Sequence, residues 1–407
     1  MKLKKSRKKN SSHLILSNFI KSDTVIELEE TLNSDIKNIF FNGNIGSSLA
    51  LYSASILLNS NKNHLFIKRD KEEALYFTND LENILKKEVL FFPASFRRSY
   101  QFNETDNSNV LLRSEVLNKL NNKKNNIIIT YPEAISEKVI HKTELRKKTI
   151  KLELNSKLEL ETIDELLEKE KFELVDFVTD PGQYSIRGGI IDIFSFAHEH
   201  PYRIELNEDT IESIRTFDIN TQLSVEEQKK VEIIPNTHSK KVITKKSSFL
   251  NYINKDCILW IKDTNYTKGK IDEYYNKSSE NFKQNKSTDR IKIEDFYIDS
   301  KSFIEDLTDF KKVELSSPYF NADKKISTIC EPQTSFNKNI SLLIERINYN
   351  FSHQIKSIIS CSTKEQENRF YNLFENKFDH NNIQIINFPI HEGFYDKINK
   401  IEIFTDH

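Results

Sequence analysis

The chain has 407 residues, 30% of them charged and 37% hydrophobic, with 60 lysines and arginines balanced by 61 aspartates and glutamates. That length exceeds one ordinary core and points to roughly two to four compact units. The balance of charge excludes a strong long-range field for nucleic acid or anionic membrane, and recurring apolar clusters exclude wholesale disorder.

Met1–Lys9 is basic with no apolar run behind it, so 1–22 reads as a flexible tail rather than a signal peptide. From 23 to 145 strand-like and helix-like stretches alternate, the pattern of a parallel α/β sheet. Strands are predicted over Asn38–Asn42, His64–Lys68, Val89–Pro93 and Asn126–Tyr131. Helices are predicted over Ser48–Leu58, Lys71–Leu85 and Val110–Leu120. Right-handed crossovers would make this a Rossmann- or RecA-like layer.

The rhythm changes near 148. Thr149–Leu154 alternates, Glu161–Lys171 is a short charged helix, and four strands then follow without helices between them. Tyr184–Arg187, Ile190–Phe196, Tyr202–Leu206 and Ile211–Phe217 fit an antiparallel meander, with Asn207-Glu208-Asp209-Thr210 as one turn. A separate α+β unit is therefore expected over 146–235. Mixed α/β pattern resumes over 236–332, after a lysine- and serine-rich stretch (Ser239–Ser248), with a strand at Cys257–Ile261 and a helix over Asp263–Ser278. A small α/β unit is expected over 333–407: helix Asn337–Asn350, strand Ile355–Cys361, a capping box Ser362-x-x-Glu365, then strands Ile383–Phe388 and Ile398–Phe404.

No run of about eighteen apolar residues exists to span a bilayer. Cys257, Cys330 and Cys361 lie far apart with no CxxC or Cys/His partner; they read as core thiols and suit a reducing, cytoplasmic setting. His198-Glu199-His200 lies in a predicted loop and lacks the i, i+4 spacing of a helical zinc site, so no metal is expected.

Chemistry is first sought in the turn Gly43-Asn44-Ile45-Gly46-Ser47-Ser48-Leu49-Ala50, which follows a strand and opens a helix where a phosphate loop would sit. Such a loop needs a lysine for the terminal phosphates and a Ser or Thr hydroxyl for Mg²⁺. In the best register those positions hold Leu49 and Ala50, so the loop reads as degenerate and no nucleotide cofactor is expected. The more specific segment is Asp180–Gln222. Its Pro181-Gly182 and Gly188-Gly189 are turns, and Ile190, Ile191, Ile193, Phe194 and Phe196 supply a core. Arg187, Arg203 and Arg215 all fall on strands. A lone strand arginine is often only solubilising, but several on one compact sheet suit pairing with carboxylates of a partner.

The run PGQYSIRGGIIDIF, then PYRIEL, DTIESIRTFD and NTQLS, resembles the module shared by UvrB and the bacterial transcription-repair coupling factors. LFFPASF, RSEVLNKL and ITYPEAI upstream, and FNKNISLLIERI and HEGFYDKINKIEIFTDH downstream, extend the resemblance across essentially the whole chain. It is to the coupling factors rather than UvrB. Leu49 and Ala50 replace the residues of an intact P-loop, and only residues 94–112, with Phe96, Tyr100 and Phe102 as aromatics, stand where UvrB inserts a long damage-gripping hairpin. The Thr221-Gln222 ending also matches the coupling-factor version.

The resemblance implies a degenerate RecA/helicase-like α/β domain split by an inserted UvrA-binding α+β domain, followed by a small α/β domain. It implies a non-catalytic adaptor that imitates UvrB and recruits UvrA to stalled RNA polymerase. The family's two UvrA-contacting arginines fall on Arg187 and Arg203; a third contact, aromatic in some members, falls on Asn207. Full-length members also engage RNA polymerase and double-stranded DNA through an ATP-driven translocase, so a chain ending at His407 is expected to be a fragment carrying the adaptor half. Alternative readings are a UvrB-type nucleotide-hydrolysing repair enzyme, and a direct DNA-binding module using a basic patch around Lys240–Lys246.

Overall fold

A computed structural model describes residues 11–95, 107–122, 125–235, 245–284, 292–336, 339–374 and 383–405. The protein is mixed α/β. Seven strands form a parallel sheet in the order Lys324–Ser327, Asn38–Asn42, Lys311–Glu314, Ile258–Ile261, His64–Ile67, Ile127–Thr130 and Leu90–Phe91. Three adjacent inner strands, ILWI, HLFI and IIIT, are buried at every residue, as continuous apolar runs covered on both faces must be. Asp70 caps the helix Lys71–Leu85 by accepting the Glu73 N–H at 2.9 Å, and that helix turns Ala74, Phe77 and Leu81 toward the sheet. His64, on one of these strands, accepts a hydrogen bond from Trp260 Nε1 at Nδ1 (3.0 Å), tying two neighbouring strands through their side chains.

The chain leaves this sheet after Ile127–Thr130 and rejoins it at Ile258–Ile261. In between it builds a six-stranded sheet in the order Ser224–Glu227, Thr210–Phe217, Tyr202–Asn207, Ile190–Ile193, Gln183–Arg187 and Glu173–Leu174. All its pairings are antiparallel except the one between Glu173–Leu174 and Gln183–Arg187. One face carries Tyr184, Ile191, Ile193, Tyr202, Ile204, Ile211 and Ile214 into a core of its own, closed by Ile163 and Leu167 of the helix Leu160–Lys169. Period-two alternation therefore sends the other face outward. That outer face holds Arg187, Asp192, Arg203, Glu205 and Arg215.

A five-stranded sheet, in the order Cys330–Pro332, Phe394–Asp396, Ile401–Phe404, Lys356–Cys361 and Ile383–Asn387, packs helices Ile340–Ser352 and Lys364–Phe374 on a third core. It begins at Cys330, slightly before the expected boundary at 333. Its Ile358, Phe394 and Ile403 join the core of the parallel sheet, so the two units share one apolar interior.

Two expectations are corrected. Residues 11–22 are not a flexible tail: Ser11–Phe19 is a helix whose Ile15, Leu16 and Phe19 are buried, with Phe19 edge-on to Tyr52 at 5.3 Å. Burying a phenylalanine contributes about 2 kcal/mol, enough to order a helix that composition alone marks as marginal. The capping box of the last helix lies one residue later than predicted. Thr363 Oγ1 accepts the Gln366 N–H and Gln366 Oε1 accepts the Thr363 N–H, each at 3.2 Å. Of the stretch Lys240–Lys246, Lys245 is exposed. Lys246 is half-buried over the Phe296 ring, and burial pushes its ammonium down to about 8. Lys240 and Lys241, like Phe96, Tyr100, Phe102 and Met1–Lys9, lie outside the described residues.

Candidate functional site

Asp192 sits near the middle of the outer face, on the strand Ile190–Ile193, with Arg203 directly opposite on one neighbour and Ser185 opposite on the other. It is 1% exposed. A buried carboxylate in that position needs cationic partners, and two are supplied. Arg203 donates from Nε to Oδ1 at 2.7 Å and from Nη2 to Oδ2 at 2.8 Å, a bidentate pair. Arg187 donates from Nη2 to Oδ2 at 2.5 Å and from Nη1 to the Asp176 carbonyl at 3.0 Å. The Asp192 hydrogen bonds raise the pKa of the Arg203 guanidinium, so it remains charged at any working pH.

Each guanidinium is also held from its flat side. Arg203 lies over Phe217 at 4.2 Å, and Arg187 over Phe177 at 5.0 Å. The Arg187 side chain is 36% exposed and that of Arg203 15%, so both reach the surface while anchored below it. Arg203 Nη2 donates to Gln222 Oε1 at 3.0 Å, while its Nη1 takes no part in these bonds. Alongside, Arg215 donates to both oxygens of Glu205, and Ser213 Oγ donates to Glu205 Oε2 at 2.7 Å. The three arginines singled out in the sequence therefore do share one face. What the sequence did not disclose is that each already has a carboxylate.

Asn207 ends the strand Tyr202–Asn207 and is exposed; it pairs with Thr210 across a tight turn in which Glu208 adopts φ +53°. It lies at the same end of the sheet as Arg187, because the next strand pairing joins Leu206 N–H to the Gly189 carbonyl at 2.8 Å. Phe177 was not singled out in the sequence. It is 66% exposed in the loop after the strand Glu173–Leu174, where its neighbour Val178 is buried.

The loop Gly43–Ala50 is closed from within. Gly43 and Gly46 have φ of +89° and +55°, and Ser48–Leu57 is the helix they lead into. At its start Ser47 N–H donates to the Glu392 carbonyl at 3.0 Å, and Glu392 N–H donates back to Ser47 Oγ at 3.0 Å. Ser48 Oγ accepts the Ile45 N–H at 2.9 Å. Leu49 and Ala50 are buried in the core. Beside this contact His391 N–H donates to Asp80 at 2.7 Å, and the His391 ring stacks on Tyr76 at 3.5 Å. Burial raises the Asp80 carboxyl to about 6. The remaining cavity, about 340 Å³, is lined by Asp70, Glu72, Glu73, Asp80 and Glu392, with Lys68 and Lys262 as its cations. Lys68 is already paired to Glu73 at 2.8 Å. A field of that sign repels phosphate.

His198, Glu199 and His200 lie in the loop between strands, with His198 edge-on to Tyr202. Among the described residues no group of three or more His, Cys, Asp or Glu side chains is placed to hold a metal ion, and no helix is long and apolar enough to cross a membrane.

Residues 150–238, which contain the whole arginine face, match the sequence family described as the UvrB interaction domain. Curated relatives carry the resemblance further. The chain is 28% identical over 223 residues to the transcription-repair-coupling factor of Bacillus subtilis, covering 54% of this chain and 19% of that protein. It is 30% identical over 172 residues to that of Rickettsia bellii (42% and 15%) and 25% identical over 123 residues to that of Escherichia coli (30% and 11%). The chain resembles the amino-terminal, UvrB-like region of bacterial transcription-repair coupling factors, and it spans about a fifth or less of the length of these relatives.

Proposed function

We propose that this chain is a non-catalytic adaptor of transcription-coupled nucleotide excision repair that recruits UvrA through the arginine face. The observation that carries the reading is the Arg187–Asp192–Arg203 cluster, rigidly backed and surface-reaching, inside the span that matches the UvrB interaction domain. An acidic group on UvrA would complete the donors that Asp192 leaves unused, with Asn207 at the rim. In this reading the parallel sheet is a degenerate helicase-like layer built from 23–145 and 236–332. It is split by the docking unit 146–235 and followed by the small α/β unit 333–407. Binding of RNA polymerase and double-stranded DNA, and ATP-driven translocation, belong to other parts of a coupling factor, and the setting is the cytoplasm. The carbonyl of Glu392 on the Ser47 N–H, in an acidic cavity, supports an adaptor over a nucleotide hydrolase.

Two measurements test it together. Co-elution with UvrA in size-exclusion chromatography, with no Mg²⁺-dependent ATP turnover by the chain alone, is the expected result. Failure to co-elute at micromolar concentrations, or turnover above background, would overturn the adaptor.

A further inference from the structure

We infer that Asp192 is a positioning residue of the docking face: it gathers Arg187 and Arg203 into one element of net charge plus one. The inference rests on the reading that this face binds UvrA. Three hydrogen bonds converge on the Asp192 carboxylate, and Oδ2 receives one from each arginine. The two guanidiniums are thus held against one carboxylate although like charges repel. Without Asp192 they have no reason to converge, since Arg187 is otherwise held by the Asp176 carbonyl and Phe177, and Arg203 by Gln222 and Phe217.

Two consequences follow for recognition. Long arginine side chains lose rotamer freedom on binding, and this pair has lost it before the partner arrives. The carboxylate also cancels one of two positive charges, so a single partner carboxylate neutralises the element. Two partner carboxylates would leave a negative surplus. The site therefore selects an isolated acidic group rather than an acidic stretch.

Asp192→Asn keeps the shape of the side chain and removes its charge. Calorimetric titration with UvrA is expected to show Kd rising about tenfold, the scale of one charge-assisted hydrogen bond. Kd of D192N should also climb more steeply with ionic strength than that of the unmodified chain, because two uncancelled charges now face the partner. A merely structural aspartate would change the melting temperature without steepening that dependence. A second variant, Asp192→Glu, holds if D192N folds poorly: it keeps the charge that both guanidiniums share but moves it by one methylene, and is expected to bind more weakly than the unmodified chain with an unchanged ionic-strength dependence. An unchanged Kd for folded D192E, or for folded D192N, would overturn the role of Asp192. The triple variant R187Q/D192N/R203Q separates the two levels, since unchanged affinity there means the face does not bind UvrA at all.

Discussion

At the start of the helix Ser48–Leu57 and on the outer face of the six-stranded sheet, the chain places polar groups of the kind that hold charged partners. At the helix, the Ser47 N–H is spent on the Glu392 carbonyl, and the surrounding cavity is acidic. On the sheet, guanidiniums are pinned by Asp192 from below while donors remain at the surface. One region has turned its binding chemistry inward to join two units of the fold; the other has used an internal carboxylate to hold its binding chemistry outward. In the proposed reading a partner meets a preformed surface at the sheet and a closed one at the loop.

The largest effect that would break this contrast concerns two glycines. A Cβ on Gly43, at φ +89°, would lie 1.8 Å from the Thr328 carbonyl oxygen, whereas one on Gly188, at φ +60°, meets nothing within 4 Å. Gly43→Ala is expected to lower stability by about 3 kcal/mol or more through strain and overlap. Gly188→Ala should cost only about 1 kcal/mol for the left-handed backbone. Denaturant unfolding checks both, and equal costs would mean the loop is not locked.

The next effect is one of pH. Burial lifts the Asp80 carboxyl to about 6 in the fold against 3.8 when exposed, so the folded state holds the extra proton between those values. Its contribution is present in full below about 3.8 and is lost as pH rises through 6, with a slope on the order of 1 kcal/mol per pH unit in that window. Asp80→Asn should flatten this part of the stability profile; an unaltered profile would remove Asp80 from the closure.

Smaller still is the contribution of Phe177, whose ring flanks Arg187 at the surface. Phe177→Ala is expected to weaken UvrA about three- to tenfold with the melting temperature unchanged. No effect would confine the interface to the arginines. Smallest is a null: Leu49→Lys with Ala50→Thr restores the residue types of a phosphate loop, yet Mg²⁺-ATP should give no thermal shift while Glu392 holds Ser47. A shift would show that those two residues alone had silenced the loop.

The sequence carried much of the architecture. Apolar runs such as HLFI and ILWI announced buried strands, the helix Lys71–Leu85 was bounded at both ends, and the four-strand meander appeared with its turns. It failed where the deciding contact is distant. The helix Ser11–Phe19 forms because Tyr52 and Phe394 lie against Phe19, and no local pattern records that. The same holds for Glu392 closing a loop more than three hundred residues earlier. Within the candidate site, Arg187 and Arg203 were legible as strand arginines, but nothing in the sequence singled out Asp192. Alternation along IIDIF put Asp192 on the face opposite Ile191 and Ile193. Its burial comes from the two arginines that cover it, one on each side in the sheet.

That burial also decides how the central claim must be tested. Replacing both arginines with alanine would leave the Asp192 carboxylate without the two cations that balance it, and a loss of stability would then imitate lost binding. The triple variant R187Q/D192N/R203Q removes the cations together with the carboxylate they cover. Titrated calorimetrically against UvrA, with its circular dichroism and melting temperature recorded alongside, it should remain folded while Kd rises roughly a hundredfold or more, the sum of two charge-assisted contacts. A folded triple variant that binds UvrA as tightly as the unmodified chain would contradict the account.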